Sequence, residues 1–441
     1  MAPVPRAAPT PAELRFPAKL LWRDWTTLCT AIGERRAGTA GERRAAEYIA
    51  GGFRAAGMNR VTLEAFPCQS LQSATVEVHA RNGRRWQPVD ATALVGAPGT
   101  PGGRAVTGEL AWLDLPESAR RITRGSLRGR IAMVFGPLPT EVATHRRLVA
   151  AEPLAVVHVD DRLPFTWTKN DGVYPHWARA HGMPTTLAVP YLDAWRWRRD
   201  GLRQLRVRVA LDLRDGASQN VVAELPGTDP ALPAIAFTAH HDTQCGNEGA
   251  DDNASGVVAL LALARALRGR PLRRTVRLIS FGTEEQLSVG SAAYVRQHRA
   301  SPRDTGLVIN LDSISSPLGH TWMFVTGAEQ LARHASAALA RRGVDVDVRR
   351  EIVPFSDHFP FNRAGIPSLW FMRTNFPGGR WQHHSPHDTL ENVSAGEVQR
   401  LLAALFPLVR EFAGGARWPF PAAVPADQLA QARKLGRDLF G

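Results

Sequence analysis

The chain has 441 residues, 44% of them hydrophobic and 22% charged, a length for two domains and a composition that excludes a disordered protein. Its formal net charge is +13, yet only Lys19, Lys169 and Lys434 are lysines, and the arginines are scattered with no basic block interleaved with aromatics, so no nucleic-acid partner is expected. Cys29, Cys68 and Cys245 have no CxxC spacing, which argues against a disulfide framework or a thiolate metal site. No apolar run reaches the ~18 residues of a membrane span. Met1 to Leu14 lacks the apolar stretch of a secretory signal, and the protein reads as soluble and cytoplasmic.

Residues 1–18 carry five prolines and form an expected loose arm. From Trp22 the pattern is helical, and Ala45, Ile49 and Phe53 share one face of a helix expected to stop near Gly57. Val61 to Phe66 and Ala74 to His79 alternate as strands do. Residues 89–215 are expected to be an inserted, β-rich domain of short strands and turns, with no catalytic spacing of ionisable groups. From Gln219, apolar strands alternate with helices, the sign of a parallel sheet with crossovers. The expected strands are Val221 to Leu225, Ala234 to Thr238, Val276 to Phe281, Leu307 to Leu311, Trp322 to Val325 and Ser368 to Met372. Ser255 to Leu267, Ala395 to Phe412 and a segment from Ala426 are the expected helices. The predicted fold is therefore α/β, with a mixed, mostly parallel sheet between helices. A catalytic domain spans 19–88 and 216–415, followed by a tail, 416–441.

The chemistry gathers at the strand ends, where open α/β sheets bind ligands. His240 leaves one strand with Asp242 two residues on, placed to orient its ring, as metal-bound histidines need. Gly249-Ala250-Asp251-Asp252-Asn253-Ala254-Ser255-Gly256 precedes the clearest helix; one residue suffices as its cap, leaving a carboxylate to bridge two metal ions. Glu284-Glu285 ends another strand, and two adjacent like charges there call for a cation. One glutamate then serves as ligand and the other as general base for a water. Asp312 follows Asn310-Leu311, and the tract Trp381-Gln382-His383-His384-Ser385-Pro386-His387-Asp388 offers a distal histidine.

In this order the motifs resemble the co-catalytic zinc aminopeptidases of clan MH, a group that includes bacterial aminopeptidases, carboxypeptidase-type enzymes and glutaminyl cyclases. The resemblance covers about residues 20–85 and 216–415. It implies the zinc exopeptidase (phosphorylase/hydrolase-like) fold and two zinc ions per chain. His240 and Asp312 would hold one ion, Glu285 and His384 the other, with Asp251 bridging and Glu284 as general base. His383 stands where the group has tyrosine or tryptophan, and is expected to donate to the oxyanion in its place. Leu127-Arg128-Gly129-Arg130-Ile131 and Met183-Pro184-Thr185-Thr186 make the insert resemble a protease-associated domain. The implied activity is hydrolysis of N-terminal residues from peptides. Glutaminyl cyclisation, a carboxypeptidase-type specificity and an inactive binding protein are the alternatives. Pairing into a homo-oligomer is left open, and no membrane partner is expected.

Overall fold

A computed structural model describes residues 15–441 apart from 116, 137–140, 161–165, 169–171, 173, 271 and 377–378, so most of the expected N-terminal arm lies outside the described residues. Helix α1, Ala18–Thr26, starts after Pro17 and runs into a π-helical turn, Thr27–Ile32. Helix α2, Ala40–Ala55, begins with Thr39, whose side chain accepts from the Glu42 backbone N–H. Sequence reading joined the two helices. They are separate, with Gly33 and Gly38 between them at φ 77° and 68°, values that need no Cβ.

Strand β1, Asn59–Asn82, is continuous through both of the short strands expected there. It then pairs antiparallel along almost its whole length with an equally long strand, from Asn59 opposite Glu224 to Ala80 opposite Leu205. Between them come β2 (Arg85–Val89), β3 (Thr92–Ala93), β4 (Val106–Asp114), β5 (Arg130–Phe135), α3 (Val142–Ala150), β6 (Ala155–Val159), α4 (Pro175–His181), β7 (Thr186–Ala188) and α5 (Tyr191–Arg199). The insert is thus not simply β-rich. Strands β4 to β7 run parallel, with α3 and α4 as crossovers. These helices span only seven to nine residues each, too short for a clear 3.6-residue period. The long partner strand, β8 (Gln204–Leu225), passes residue 216 without a break, so a ribbon of β1 and β8 joins the two halves.

The second half supplies β9 (Ala234–His240), α6 (Ala254–Leu267), β10 (Val276–Phe281), α7 (Val289–Gln297), β11 (Thr305–Leu311), β12 (His320–Thr326), α8 (Glu329–Ala340), β13 (Val346–Arg349), α9 (His358–Arg363), β14 (Ser368–Thr374), α10 (Ala395–Gly414) and α11 (Ala426–Phe440). All strands lie in one sheet of order β13-β12-β14-β11-β9-β10-β8-β4-β5-β6-β7-β3, with β1 and β2 beside β8. The central neighbours β10, β9, β11 and β14 are parallel. Both faces of these strands are buried. Ile235, Phe237, Leu307 and Ile309 enter the core beneath α1, α2, α6 and α10, whereas Ala236 and Val308 pack with Tyr294 of α7 and Phe361 of α9. A separate core, with Ile131, Met133 and Val157, lies under the insert. No helix of the described residues is long and apolar enough to cross a membrane.

Candidate metal centre

Parallel register brings the charged residues together. Phe281 lies opposite His240, and Thr238 opposite Asn310, so His240, Glu284-Glu285 and Asp312 leave three neighbouring strands at one edge. Helix α6 points its N-terminus at the same edge. Its cap is Asn253, whose Oδ1 accepts from Gly256 N–H at 2.9 Å, so neither Asp251 nor Asp252 is used as a cap. A Cβ on Gly256 would lie 2.2 Å from the Leu311 carbonyl oxygen, which is why glycine stands at this contact.

Two groups of donors meet on Asp252. His240, Asp252 and Asp312 form one group and Asp252, His383 and His384 the other, each with ligand atoms within 4.8 Å of one another. His240 Nε2 lies 3.1 Å from Asp252 Oδ1 and 3.8 Å from Asp312 Oδ1. On the opposite side, Asp252 Oδ2 is 3.1 Å from His383 Nε2 and 3.5 Å from His384 Nε2. Glu285 Oε2 joins the second group, 3.1 Å from His384 Nε2. Glu284 Oε2 stands 3.8 Å from His240 Nε2 at the edge of the first.

The expected bridging residue is corrected here. Asp251 turns away from the donors: its Oδ1 accepts from the Ser315 N–H and hydroxyl at 2.9 and 2.6 Å, and its Oδ2 from Gln382 Nε2 at 3.3 Å. The carboxylate in the shared position is Asp252. Asp242 is also more than the expected ring orienter. Its Oδ1 is 3.5 Å from His240 Nδ1, but its two oxygens accept from the Glu284 and Glu285 N–H groups at 2.9 and 3.1 Å, which holds the turn carrying both glutamates. His383 is found on Asp252, with its ring stacked on that of His384 at 3.5 Å.

Sequence reasoning passed over several supporting groups. Asp388 mirrors Asp242, accepting from the Asp251 and Asp252 N–H groups at 2.7 and 2.9 Å. Buried Arg380 reaches Asp252 Oδ2 at 3.3 Å. Thr238 Oγ1 donates to Asn310 Oδ1, Asn310 Nδ2 to Ser356 Oγ, and Ser356 Oγ to Asp312 Oδ2, a chain that fixes the Asp312 carboxylate. Arg35, fully buried, donates to the carbonyls of His241, Glu248 and Gly249 and ties down the loops behind the site. Behind the Glu284 turn, Glu42 accepts from Gly38 N–H, Ser218 Oγ and Thr283 N–H. His241 is a core residue, its Nδ1 3.0 Å from Ser280 Oγ, with burial lowering its pKa to about 4. Burial raises the Cys245 thiol, consistent with an inert side chain. Trp370 and Met372 pack with Phe324 in the core.

Asp242, Asp251, Asp252, Glu284, Glu285, Asp312, Asp357 and Asp388 are all buried here. Burial, with Asp357, Glu285 and Asp312 nearby, raises Glu284 well above the carboxylate range despite the neighbouring His240. Asp388 is raised well above it by burial and by Asp251 and Asp252. Asp252 is the reverse: burial is outweighed by His240, His383 and Arg380, which hold it well below. Burial likewise opposes a charge on His240, but Glu284, Asp242, Asp252 and Asp312 raise it. So many buried carboxylates facing so few cations are stable only if protonated or bound to metal. The donors suit zinc: imidazole nitrogen and carboxylate oxygen in overlapping buried sets. The buried Glu285 Oε1 also has no hydrogen-bond partner among the described residues.

Residues 220–409 match the sequence profile of Peptidase family M28. Over that stretch, 190 of the 441 residues, the chain is similar to this peptidase family. It is 25% identical over 420 residues to Aminopeptidase YwaD of Bacillus subtilis, covering 90% of this chain and 86% of that one. The M28 fold is shared with solved structures. A zinc aminopeptidase from Bacillus subtilis superposes with a TM-score of 0.72 at 21% identity, covering 96% of this chain and 100% of the other. An M28 peptidase precursor from Shewanella amazonensis does so with 0.79 at 18% identity, covering 94% and 97%.

Proposed function

We propose that this chain is a zinc-dependent aminopeptidase that holds two zinc ions and releases N-terminal residues from peptides. The observation that carries this reading is Asp252, one carboxylate shared by two donor groups, with Glu284 at their edge. His240 and Asp312 would hold one ion, Glu285 and His384 the other, with His383 as a further donor beside Asp252. The chemistry zinc supplies when bound is polarisation of the scissile carbonyl and acidification of the attacking water.

The rest belongs to the side chains. Asp242 holds the Glu284 N–H, and the Ser288 hydroxyl donates to Glu284 Oε1 at 3.2 Å, leaving Oε2 facing the centre. Glu284 Oε2 accepts the proton of the attacking water and returns it to the leaving amine nitrogen. Asp388 and Asn253 fix the Asp252 backbone, and the Ser356–Asn310 chain fixes Asp312. Residues 19–88 and 216–415 form the catalytic unit of this reading, with 89–215 an insert bordering it. The test is elemental analysis with turnover of aminoacyl-nitroanilides before and after chelation. Two zinc ions per chain and turnover abolished by chelator are expected; turnover indifferent to chelation defeats the reading.

A further inference from the structure

On the far side of the Glu284-Glu285 turn lies a groove of about 670 Å³. Arg179 of α4, Arg296 of α7, Arg363 of α9 and Arg433 and Arg437 of α11 line it, and among the described residues no Asp or Glu side chain does. None of the five makes a side-chain hydrogen bond or ion pair with a described residue. Some arginines elsewhere pair with acids, Arg277 with Glu224 and Asp304, Arg373 with Glu397, Arg208 with Glu77; what sets the groove apart is five arginines gathered on one lining. Arg363 lies across bare Gly436, where a Cβ would meet its Nε at 2.2 Å. Burial, then the neighbouring Arg437 and Arg296, lowers its pKa. Four separate elements converge here, with Arg363 half-buried and the other four arginines exposed.

The groove adjoins the metal centre. A second cavity of about 330 Å³, walled by Leu71, Val76, Leu94 and Leu211, touches Glu285 and Gln286. Pro175, Arg179 and Gln286 line both. Gln286 follows Glu285 directly and Leu287 also lines the groove, so it opens within about 7 Å of backbone from that residue. An extended peptide advances ~3.3–3.6 Å per residue, and its positions from about the third onward reach the arginines.

We propose that the arginine groove binds acidic side chains of the peptide substrate downstream of the scissile bond, making peptides with Asp or Glu a few residues from the N-terminus the preferred substrates. This rests on the aminopeptidase reading. Arginine suits the task because its planar fork pairs with a carboxylate through two hydrogen bonds.

The experiment compares Leu-Ala-Ala-Asp-Glu-Asp with Leu-Ala-Ala-Asn-Gln-Asn and with leucyl-nitroanilide on the zinc-loaded full chain. Wild type should favour the acidic peptide by about tenfold in kcat/KM, through KM, and the preference should shrink between about 20 and 300 mM salt. Combined Arg363→Ala, Arg433→Ala and Arg437→Ala should erase the preference and leave nitroanilide turnover within about twofold, since those three side chains touch no reacting atom. The double variant Arg433→Ala with Arg437→Ala, both exposed, should lose part of it and guards against misfolding at half-buried Arg363. Equal kcat/KM for the two peptides, or a preference that survives the triple variant, overturns the proposal. So does inorganic phosphate altering nitroanilide turnover with no discrimination between peptides, the mark of a small-anion site. If no substrate is cleaved, the aminopeptidase reading falls alone: fluorescence anisotropy of the labelled acidic peptide then decides, with binding lost in the triple variant supporting the groove and equal binding refuting it.

Discussion

Two sides of one short loop carry opposite and unbalanced charge. Above residues 284–287, eight carboxylates are buried around three histidines and Arg380; below, five arginines line a groove with no Asp or Glu side chain among the described residues. On each side neighbours of the same sign push pKa values the wrong way for ionisation, raising Glu284 and Asp388 and lowering Arg363, with burial the first cause each time. The buried carboxylates need a cation to complete them, whereas the groove, four of whose five arginines are exposed, is a basic surface open to an acidic partner. The difference lies in how they are held. In the crevice Asp242, Asp251 and Asp388 are positioned by backbone N–H groups and Glu284 and Asp312 by hydroxyls. In the groove the guanidinium groups are unrestrained, which suits variable partners.

The comparison breaks most decisively at Asp252. Asp252→Asn removes the one carboxylate common to both donor groups, and zinc content should fall from two towards none. Transition-state stabilisation of several kcal/mol goes with it, a loss of roughly 10³-fold or more in kcat/KM at about 1.4 kcal/mol per tenfold. Asp251→Asn is the control and should keep both ions. Metal analysis in which the Asp251 variant, and not the Asp252 variant, loses zinc would reverse the assignment. Next comes Glu284→Gln, which should leave two zinc ions in place and lower kcat by about 10²–10⁴-fold. Unchanged turnover there would remove Glu284 as the general base.

Much of this was legible in the sequence, and the reasons are local. Strands β9, β10, β11 and β14 are buried on both faces, so each reads as an apolar run ended by its charged residue. His240, Glu284, Glu285 and Asp312 follow that rule and reach the site, together with His384, which the family resemblance implied. Asp251 and Asp252 were not separable, because adjacent residues of one motif differ only in which way each side chain turns. Hydrogen bonds from Ser315 and Gln382, far away in sequence, set that direction. The same holds for Asp388 and Glu42, whose roles depend on which backbone N–H groups a distant loop presents. The long ribbon of β1 and β8 was read as fragments because Pro67 and Gly216, turn-like in sequence, sit opposite one another's neighbours within it. The arginine groove left no signal, since its five members come from four elements scattered between residues 179 and 437.

Smaller effects sharpen the picture around the crevice. Asp388→Asn should weaken zinc binding by about 10–100-fold, as loss of an outer support does, with less effect on kcat at saturating zinc; competition with a fluorescent chelator measures it. A variant with unaltered affinity would mean that Asn253 and Ser315 suffice to hold the Asp251-Asp252 turn.

The mildest test lies one step further out, at Glu42. Burial first, then Asp242, pushes its pKa up from 4.5 to about 8 although Ser218, Gly38 and Thr283 all donate to it. A carboxyl raised in the fold binds its proton more tightly folded than unfolded, so its contribution to stability is complete below pH ~4.5 and is lost as pH rises towards ~8. Glu42→Gln carries no such proton. Its melting temperature should therefore gain on wild type across that window, while lying below it at low pH because the amide nitrogen that replaces Oε2 cannot accept from the Gly38 N–H. Melting curves of chelated protein at several pH values measure the difference. A difference independent of pH would mean that Glu42 is ionised in the fold, and that the turn bearing Glu284 rests on a buried negative charge balanced from elsewhere.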